Sequence, residues 1–108
     1  MLEAVALVCA LVATDGDSMR CGTDRIRLVA ASGPVDAPET QYRRGRWNDK
    51  ALANKARQRL AVLIVGGVLH CNGHDQYRRR LCRVTVNGRD VGDMMVREKL
   101  AIIREDWR

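Results

Sequence analysis

The first thirty positions place apolar and polar residues in a pattern that is typical of β-strands. An apolar run over residues 2–13 predicts one long buried strand, which the turn-forming segment 14–17 ends. Shorter strand patterns follow at residues 18–21 and 25–30, separated by a turn at residues 22–24. Together these segments predict a three-stranded antiparallel meander.

Residues 31–47 contain both prolines of the chain and predict a loop. The next segment predicts an amphipathic helix that begins with Asn48 as N-cap, with Asp49 in its first turn. Its end is predicted by the pair Gly66 and Gly67. Its apolar residues recur at helical spacing: Leu52, Ala56, Leu60 and Leu63.

Two more strands are predicted at residues 68–71 and 81–86, followed by a turn at Asn87-Gly88 and a short helix over residues 91–100. The order is β-β-β-α-β-β-α, and 108 residues suit one domain, spanning residues 1–108. We therefore expect an α+β protein, mainly β: a five-stranded Greek-key barrel of the OB fold, capped by helices.

The charge distribution adds a class of partner to this fold. The net charge is +6, and 16 of the 19 basic residues are Arg, whose planar fork suits phosphate. Residues 40–83 hold eleven Lys or Arg and two Asp, a net charge of +9. The longest apolar run, residues 4–13, is far below the roughly 20 residues that span a membrane. We therefore expect a nucleic-acid partner and no membrane; the localisation stays open, including a secreted or periplasmic precursor.

The four cysteines leave two alternatives open. They form no CxxC pair, which argues against a zinc ribbon or a thioredoxin-type site: Cys9, Cys21, Cys71 and Cys82. Cys9 and Cys21 flank the first hairpin, so a disulfide and two small buried thiols fit equally well. His70, Cys71 and His74 are potential metal ligands, but three on one short segment are more often a coincidence than a site.

Acidic and basic residues supply the candidate chemistry. Asp17 and Asp36 offer the oxygen ligands that Ca²⁺ prefers, and Glu39 follows Asp36 closely enough to reach the same ion or a water beside it. Arg27 lies in an alternating strand pattern opposite two apolar neighbours. Taken alone, these residues are also compatible with ordinary turns and a solvated basic edge.

Read in order, the motifs carry more information. They are DGDS at residues 15–18, RIRL at 25–28, DAPE at 36–39, DQYRR at 75–79 and VGDMMVREKLA at 91–101. This series resembles the thermonuclease (staphylococcal nuclease-like) family, whose signatures in the same order are DGDT, RLxxIDAPE, DxYGR and VNxxLVREGLA. The resemblance covers residues 5–103 and agrees with the OB-type fold.

The resemblance implies a calcium-dependent phosphodiesterase that cleaves DNA and RNA and leaves 3′-phosphate ends. Asp17 and Asp36 would be the calcium carboxylates, with the backbone carbonyl of Ala37 as a third ligand. Glu39 would orient or deprotonate the attacking water.

The resemblance also assigns residues to the substrate. Arg27 and Arg79 would hold the scissile phosphate and stabilise charge on its oxygens. Tyr42 and Tyr77 would flank a base or pack along the substrate, although half-buried loop anchors are an equal alternative. We expect a monomer whose substrates are DNA and RNA, preferably single-stranded.

The sequence also departs from the family pattern. Arg78 and Lys99 stand where the signatures have glycine, and residues 31–34 lengthen the loop that carries Asp36, which we expect to bulge outward. An active nuclease is the first hypothesis, because the candidate polar residues are all present. The alternative is a catalytically inactive nuclease-like module that binds nucleic acid or protein. An OB-fold single-strand binder is less favoured, because few aromatic residues are present.

Overall fold

A computed structural model describes the backbone of residues 5–104 and the side chains of residues 9–104. The part described contains nine strands and two helices: β1 (Val5–Val8), β2 (Leu11–Asp15), β3 (Ser18–Cys21), β4 (Asp24–Ala30), β5 (Gly33–Asp36), α1 (Lys50–Leu63), β6 (Val68–His74), β7 (Arg80–Val86), β8 (Arg89–Asp90), α2 (Val91–Arg97) and β9 (Ile102–Ile103). The predicted mainly-β α+β class is confirmed. No helix in residues 5–104 has the length and apolar character needed to cross a membrane.

The sheet follows the order β1-β6-β7-β4-β3-β2. Its neighbours are antiparallel except for β4 and β7, which pair in parallel. Three short strands extend it: β5 pairs with β4, β9 pairs with β5, and β8 pairs with β7. In the region described, no pairing joins β1 to β2 at the two ends of this path. The predicted OB-like α+β fold is therefore confirmed, and within the part described its barrel is not closed.

The first apolar run forms two strands, so the prediction of a single strand over residues 2–13 is wrong. The chain breaks between β1 and β2, which then pair with different partners, β6 and β3. Apolar residues continue through the break, so the hydrophobic pattern carries no sign of it. Residues 2–4 of the predicted strand lie outside the part that the structure describes.

The predicted loop at residues 31–47 begins with a strand, β5. The four residues that lengthen this segment form the hairpin between β4 and β5 rather than an open bulge. Two of them are tied to the beginning of α2: the Ala31 N–H donates to the Asp90 carboxylate (3.1 Å), and the Ser32 hydroxyl donates to the Asp93 carboxylate (2.7 Å). The first two residues of this strand, Gly33 and Pro34, are typical of turns and loops, so the sequence gives no strand signal here.

Helix α1 is capped by Asp49, not by the predicted Asn48. The Asp49 carboxylate accepts a hydrogen bond from the Leu52 N–H at 3.1 Å, which satisfies one of the unpaired donors of the first turn. Asn48 instead closes the preceding loop, because its amide nitrogen donates to the carbonyls of Arg43 and Arg46, both at 2.8 Å. Both residue types are good caps, so the sequence does not distinguish them.

The core is formed by residues of α1, α2 and the strands of the sheet, and it includes the fully buried Leu28, Leu60 and Met95. The turn after β2 is pressed onto this core. A Cβ added at Gly16 would lie 2.7 Å from the Ala56 Cβ and 2.8 Å from the Ala37 Cβ. Glycine at this position therefore lets the turn that carries Asp17 rest directly on α1 and on the segment after β5.

Both cysteine pairs form disulfides, with Cα–Cα distances of 5.8 Å for Cys9–Cys21 and 4.0 Å for Cys71–Cys82. The alternative of buried free thiols is therefore excluded. It also follows that Cys71 cannot join His70 and His74 in binding a metal.

Both residues that replace a family glycine adopt the left-handed conformation, with φ 65° at Arg78 and φ 63° at Lys99. Lys99 ends α2 in a Schellman motif. The Leu100 N–H donates to the Met95 carbonyl and the Lys99 N–H to the Val96 carbonyl, both at 3.0 Å. A left-handed C-cap is thus kept without glycine, at a steric cost of roughly 1–2 kcal/mol.

We expect Lys99→Gly to raise the free energy of unfolding by about 1 kcal/mol, because it removes the Cβ clash but adds freedom to the unfolded chain. Thermal denaturation should show a midpoint higher by roughly 4 °C. Lys99→Ala is the control, since it removes the charge and keeps the Cβ. An equal gain in both variants would assign the effect to charge rather than to backbone conformation.

Candidate active site

A cavity of about 540 Å³ collects residues from four separate parts of the chain. Its walls come from the turn between β2 and β3, from β4, from the segment that precedes α1, and from the loop between β6 and β7. The lining residues are both acidic and basic: Asp15, Asp17, Ser18, Arg25, Arg27, Glu39, Arg43, Arg44, Arg46, Tyr77 and Arg79. The fold thus brings together five of the predicted site residues, two of which are 62 positions apart.

Asp17 is the acidic centre of this cavity, with only 4% of its surface exposed. One carboxylate oxygen accepts from the Ser18 hydroxyl (3.1 Å), and the other accepts from the Ala37 N–H (2.9 Å) and lies 3.4 Å from the Arg27 guanidinium. Burial raises the pKa of Asp17 despite these partners, and the nearby charge of Asp36 raises it further. The charged form is therefore incompletely compensated.

Arg27 is held rigidly although it carries a full charge. It is 8% exposed, and its guanidinium donates to the Val35 carbonyl at 2.5 Å as well as facing Asp17. Its neighbours in β4, Ile26 and Leu28, are fully buried in the core, as the alternation predicts. The strand therefore fixes the arginine with little freedom to reorient.

Asp36 lies at the border of a second cavity of about 640 Å³, which it shares with Arg46, Trp47 and Arg104. It is 1% exposed, and one carboxylate oxygen accepts from the Arg104 Nε at 3.1 Å. The other oxygen, Oδ1, accepts no hydrogen bond from the residues described and lies 3.7 Å from the Arg46 guanidinium. Asp36 therefore interacts electrostatically with Asp17 but does not line the first cavity.

Glu39 lies between two arginines. Its carboxylate is 3.2 Å from the Arg43 Nε and 3.5 Å from the Arg46 guanidinium. Partial burial raises the pKa of Glu39; the charge of Arg46 opposes this, and the charges of Asp17 and Asp15 add to it. Arg46 thus bridges Glu39 and Asp36, a contact that the basic composition of this segment alone could not reveal.

The loop between β6 and β7 presents Arg79 from a turn organised by Asp75. One Asp75 oxygen accepts from the backbone N–H groups of Tyr77 and Arg79, each at 2.9 Å, and the other accepts from the Arg79 Nε at 2.7 Å. Burial of Asp75 works against its charge, but these hydrogen bonds outweigh it and lower its pKa. Asp75 therefore positions Arg79, although Asp75 was not among the predicted site residues.

The two predicted tyrosines are placed differently. Tyr77 lines the cavity, its ring lies 5.6 Å from the Arg79 guanidinium carbon, and its carbonyl accepts from Arg25. Tyr42 is 79% exposed and does not line the cavity. A base could contact Tyr77 at the edge of this cavity, whereas Tyr42 would need to move to join it.

The residues suit a hard cation. Within the described part of the chain, no three His, Cys, Asp or Glu side chains form a metal-binding group. The predicted ligand set is of a different kind, because it contains two carboxylates and, as third ligand, the backbone carbonyl of Ala37. Those carboxylates, Asp17 and Asp36, are buried, and the Asp36 Oδ1 accepts no hydrogen bond from residues 9–104. Oxygen donors of this kind fit Ca²⁺, which tolerates irregular geometry and water ligands.

The OB-like fold carries carboxylates and arginines around one cleft, an arrangement that agrees with the nuclease-type class indicated by the motifs. The family described as staphylococcal nuclease homologue matches residues 25–108. The chain therefore belongs to the staphylococcal nuclease homologue family, and the resemblance of its motifs is confirmed. The match contains Arg27, Asp36, Glu39 and Arg79 and begins after Asp17. No match was found among the curated proteins.

Proposed function

We propose that the chain is a calcium-dependent phosphodiesterase that hydrolyses DNA and RNA, preferably as single strands, and leaves 3′-phosphate ends. The observation that carries this proposal is the meeting of Asp17, Glu39, Arg27 and Arg79 at one cavity. Membership of the nuclease family supports it. The preferred strand form, the product ends and a monomeric state follow from the resemblance of the motifs.

Substrate binding begins with the positive rim of the cavity. The rim is lined by Arg25, Arg43 and Arg44, whose positive charges attract an approaching phosphate backbone. Such contacts are independent of base sequence and weaken as salt rises. Tyr77 offers an exposed ring at the same edge, on which one base can stack.

Arg27 and Arg79 then stabilise the charge that develops on the phosphoryl oxygens. Guanidinium groups bind phosphate oxygens in pairs, and groups that are already fixed need little reorganisation as charge develops. Arg27 is fixed by the Val35 carbonyl, and Arg79 is fixed by Asp75. Burial adds to this fixation, because the side chains of Arg27 and Arg79 are 10% and 23% exposed, whereas that of the rim residue Arg43 is 69% exposed.

Glu39 is the candidate general base. It lines the same cavity and, because burial raises its pKa, its ionised carboxylate accepts a proton more readily than an exposed one. It would hold the attacking water and take its proton. General-base catalysis of this kind contributes about 10²–10⁴-fold.

Asp17 and Asp36, with the Ala37 carbonyl, would hold the calcium ion. The ion would supply positive charge beside the phosphate and so reduce the repulsion between substrate and carboxylates. Ca²⁺ suits this set better than Mg²⁺, which demands octahedral geometry and releases its water reluctantly.

Cleavage of a labelled single-stranded DNA in Ca²⁺, in Mg²⁺ and in EDTA tests the proposal. We expect cleavage in Ca²⁺, weak cleavage in Mg²⁺ and none in EDTA, with Glu39→Gln reducing the Ca²⁺ rate about 10²-fold or more. Equal rates in EDTA would exclude the calcium mechanism. Binding without cleavage under all conditions would favour the inactive binding module, which the contact of Arg46 with both Asp36 and Glu39 also favours.

Turnover at saturating substrate should fall by at least about 10²-fold in Arg79→Lys, because lysine keeps the charge and loses the planar fork that contacts Asp75 and phosphate. The matched control is Arg80→Gln, because Arg80 faces Asp24 at 3.5 Å outside the cavity. That variant should lower affinity only modestly and keep turnover. Equal turnover in the two variants would remove Arg79 from the catalytic group.

Calcium affinity should rise about 3–10-fold in Arg46→Gln, because the guanidinium competes with the ion for Asp36 and Glu39 from an only partly exposed position. Calorimetric titration measures the change directly. Arg44→Gln lowers the charge of the same cavity equally, and no ion pair links Arg44 to an acid among the contacts described. An identical gain in both variants would show a general charge effect and contradict the competition.

A further inference from the structure

The Cys71–Cys82 disulfide lies at the base of the loop that presents Arg79. Cys71 and Cys82 are direct partners across β6 and β7, and the residues between them include Asp75 and Tyr77. Both cysteines are buried in the core, with exposed fractions of 7% and 1%. The disulfide therefore connects the rigid part of the molecule to one wall of the candidate active site.

Beyond this disulfide, the regular strand pairing of β6 and β7 breaks down. The register shifts between Cys71 and His74, and only the pair His74–Arg80 follows before the loop. A bulge of this kind leaves backbone groups outside the ladder and bends the strand. The ladder alone therefore holds the outer loop poorly.

Packing also contributes little to the order of this loop. No residue from 72 to 80 is buried, and Tyr77 is 58% exposed. Arg78 adopts φ 65°, a conformation that is costly for any residue with a Cβ. The interactions that oppose this cost are the hydrogen bonds of the Asp75 side chain, the backbone hydrogen bonds between Asp75 and residues 78–79, the contact of Arg25 with the Tyr77 carbonyl, and the covalent link at the base.

We propose that the Cys71–Cys82 disulfide is the positioning element of Arg79, without which the turn around Arg78 loses its site-competent conformation. The catalytic part of this inference rests on the proposed nuclease function; the ordering of the turn does not. The Cys9–Cys21 disulfide differs, because the turn that it encloses is buried at Gly16, Asp17 and Ser18 and does not depend on the covalent link to the same degree.

The experiment compares the double variant Cys71→Ala/Cys82→Ala with Cys9→Ala/Cys21→Ala in the otherwise intact chain. Amide hydrogen exchange of Tyr77 and Arg79, whose N–H groups both donate to Asp75, reports the order of the turn without requiring activity. We expect exchange at both amides to rise at least about tenfold in the first variant only. In that variant kcat should fall about 10–100-fold, as expected for a misplaced catalytic group.

Two further variants keep the test decisive. Cys71→Val/Cys82→Ala restores volume in the core, so that a loss of folding in the first variant does not end the comparison. Arg78→Gly, added to either variant that lacks the Cys71–Cys82 disulfide, should partly recover kcat and the protection of the two amides from exchange, because glycine adopts φ 65° at no steric cost. A merely structural disulfide would not respond to this substitution.

Unchanged exchange at Tyr77 and Arg79 in the folded disulfide-free variants would overturn the inference. Equal increases in the Cys9→Ala/Cys21→Ala variant would do the same, since the effect would then not be specific to this loop. Increased exchange in a chain that never cleaves nucleic acid would support the positioning role and reject the nuclease proposal. A failure of the proposed positioning role can therefore be distinguished from a failure of the proposed nuclease function.

Discussion

The site depends on the cost of burying two carboxylates close together. Asp17 and Asp36 are almost completely removed from water, and a buried charge is tolerated only when it is paired and hydrogen-bonded. Arg27 and the Ala37 N–H face the first, and Arg104 and Arg46 face the second. Burial raises the pKa of Asp17 despite these partners, because the loss of hydration of the carboxylate outweighs their favourable interactions.

The irregular parts of the fold are those that hold these carboxylates. The short pairing of β5 with β9 places Asp36 opposite Ile102, and Arg104 follows directly to reach the Asp36 carboxylate. On the other side, Gly16 allows the turn before Asp17 to touch α1. The turn between β2 and β3 and the strand β5 therefore bring their acids close enough to interact electrostatically.

The sequence predicted what local chemistry determines. β3, β4 and the end of α1 before Gly66-Gly67 are examples, because each depends on a residue and its near neighbours. The break between β1 and β2, and the strands β5 and β9, depend on partners elsewhere in the sheet. The contact of Arg46 with two acids was not predictable for the same reason, since among many arginines only the fold selects the one that turns inward.

The departures from the family glycines do not by themselves indicate a lost site. Lys99 is supported by a complete Schellman motif beside the buried Leu100, and Arg78 by a turn in which Asp75 accepts three hydrogen bonds. In both cases neighbouring interactions sustain the conformation that glycine would adopt freely. In the proposed mechanism, activity therefore depends on electrostatics rather than on the backbone. A divalent cation must displace the Arg46 guanidinium from Asp36 or bind to Asp36 beside it. Two charges on a compact ion attract the paired carboxylates more strongly than one delocalised charge, so the competition between such an ion and Arg46 separates the catalytic alternative from the binding module.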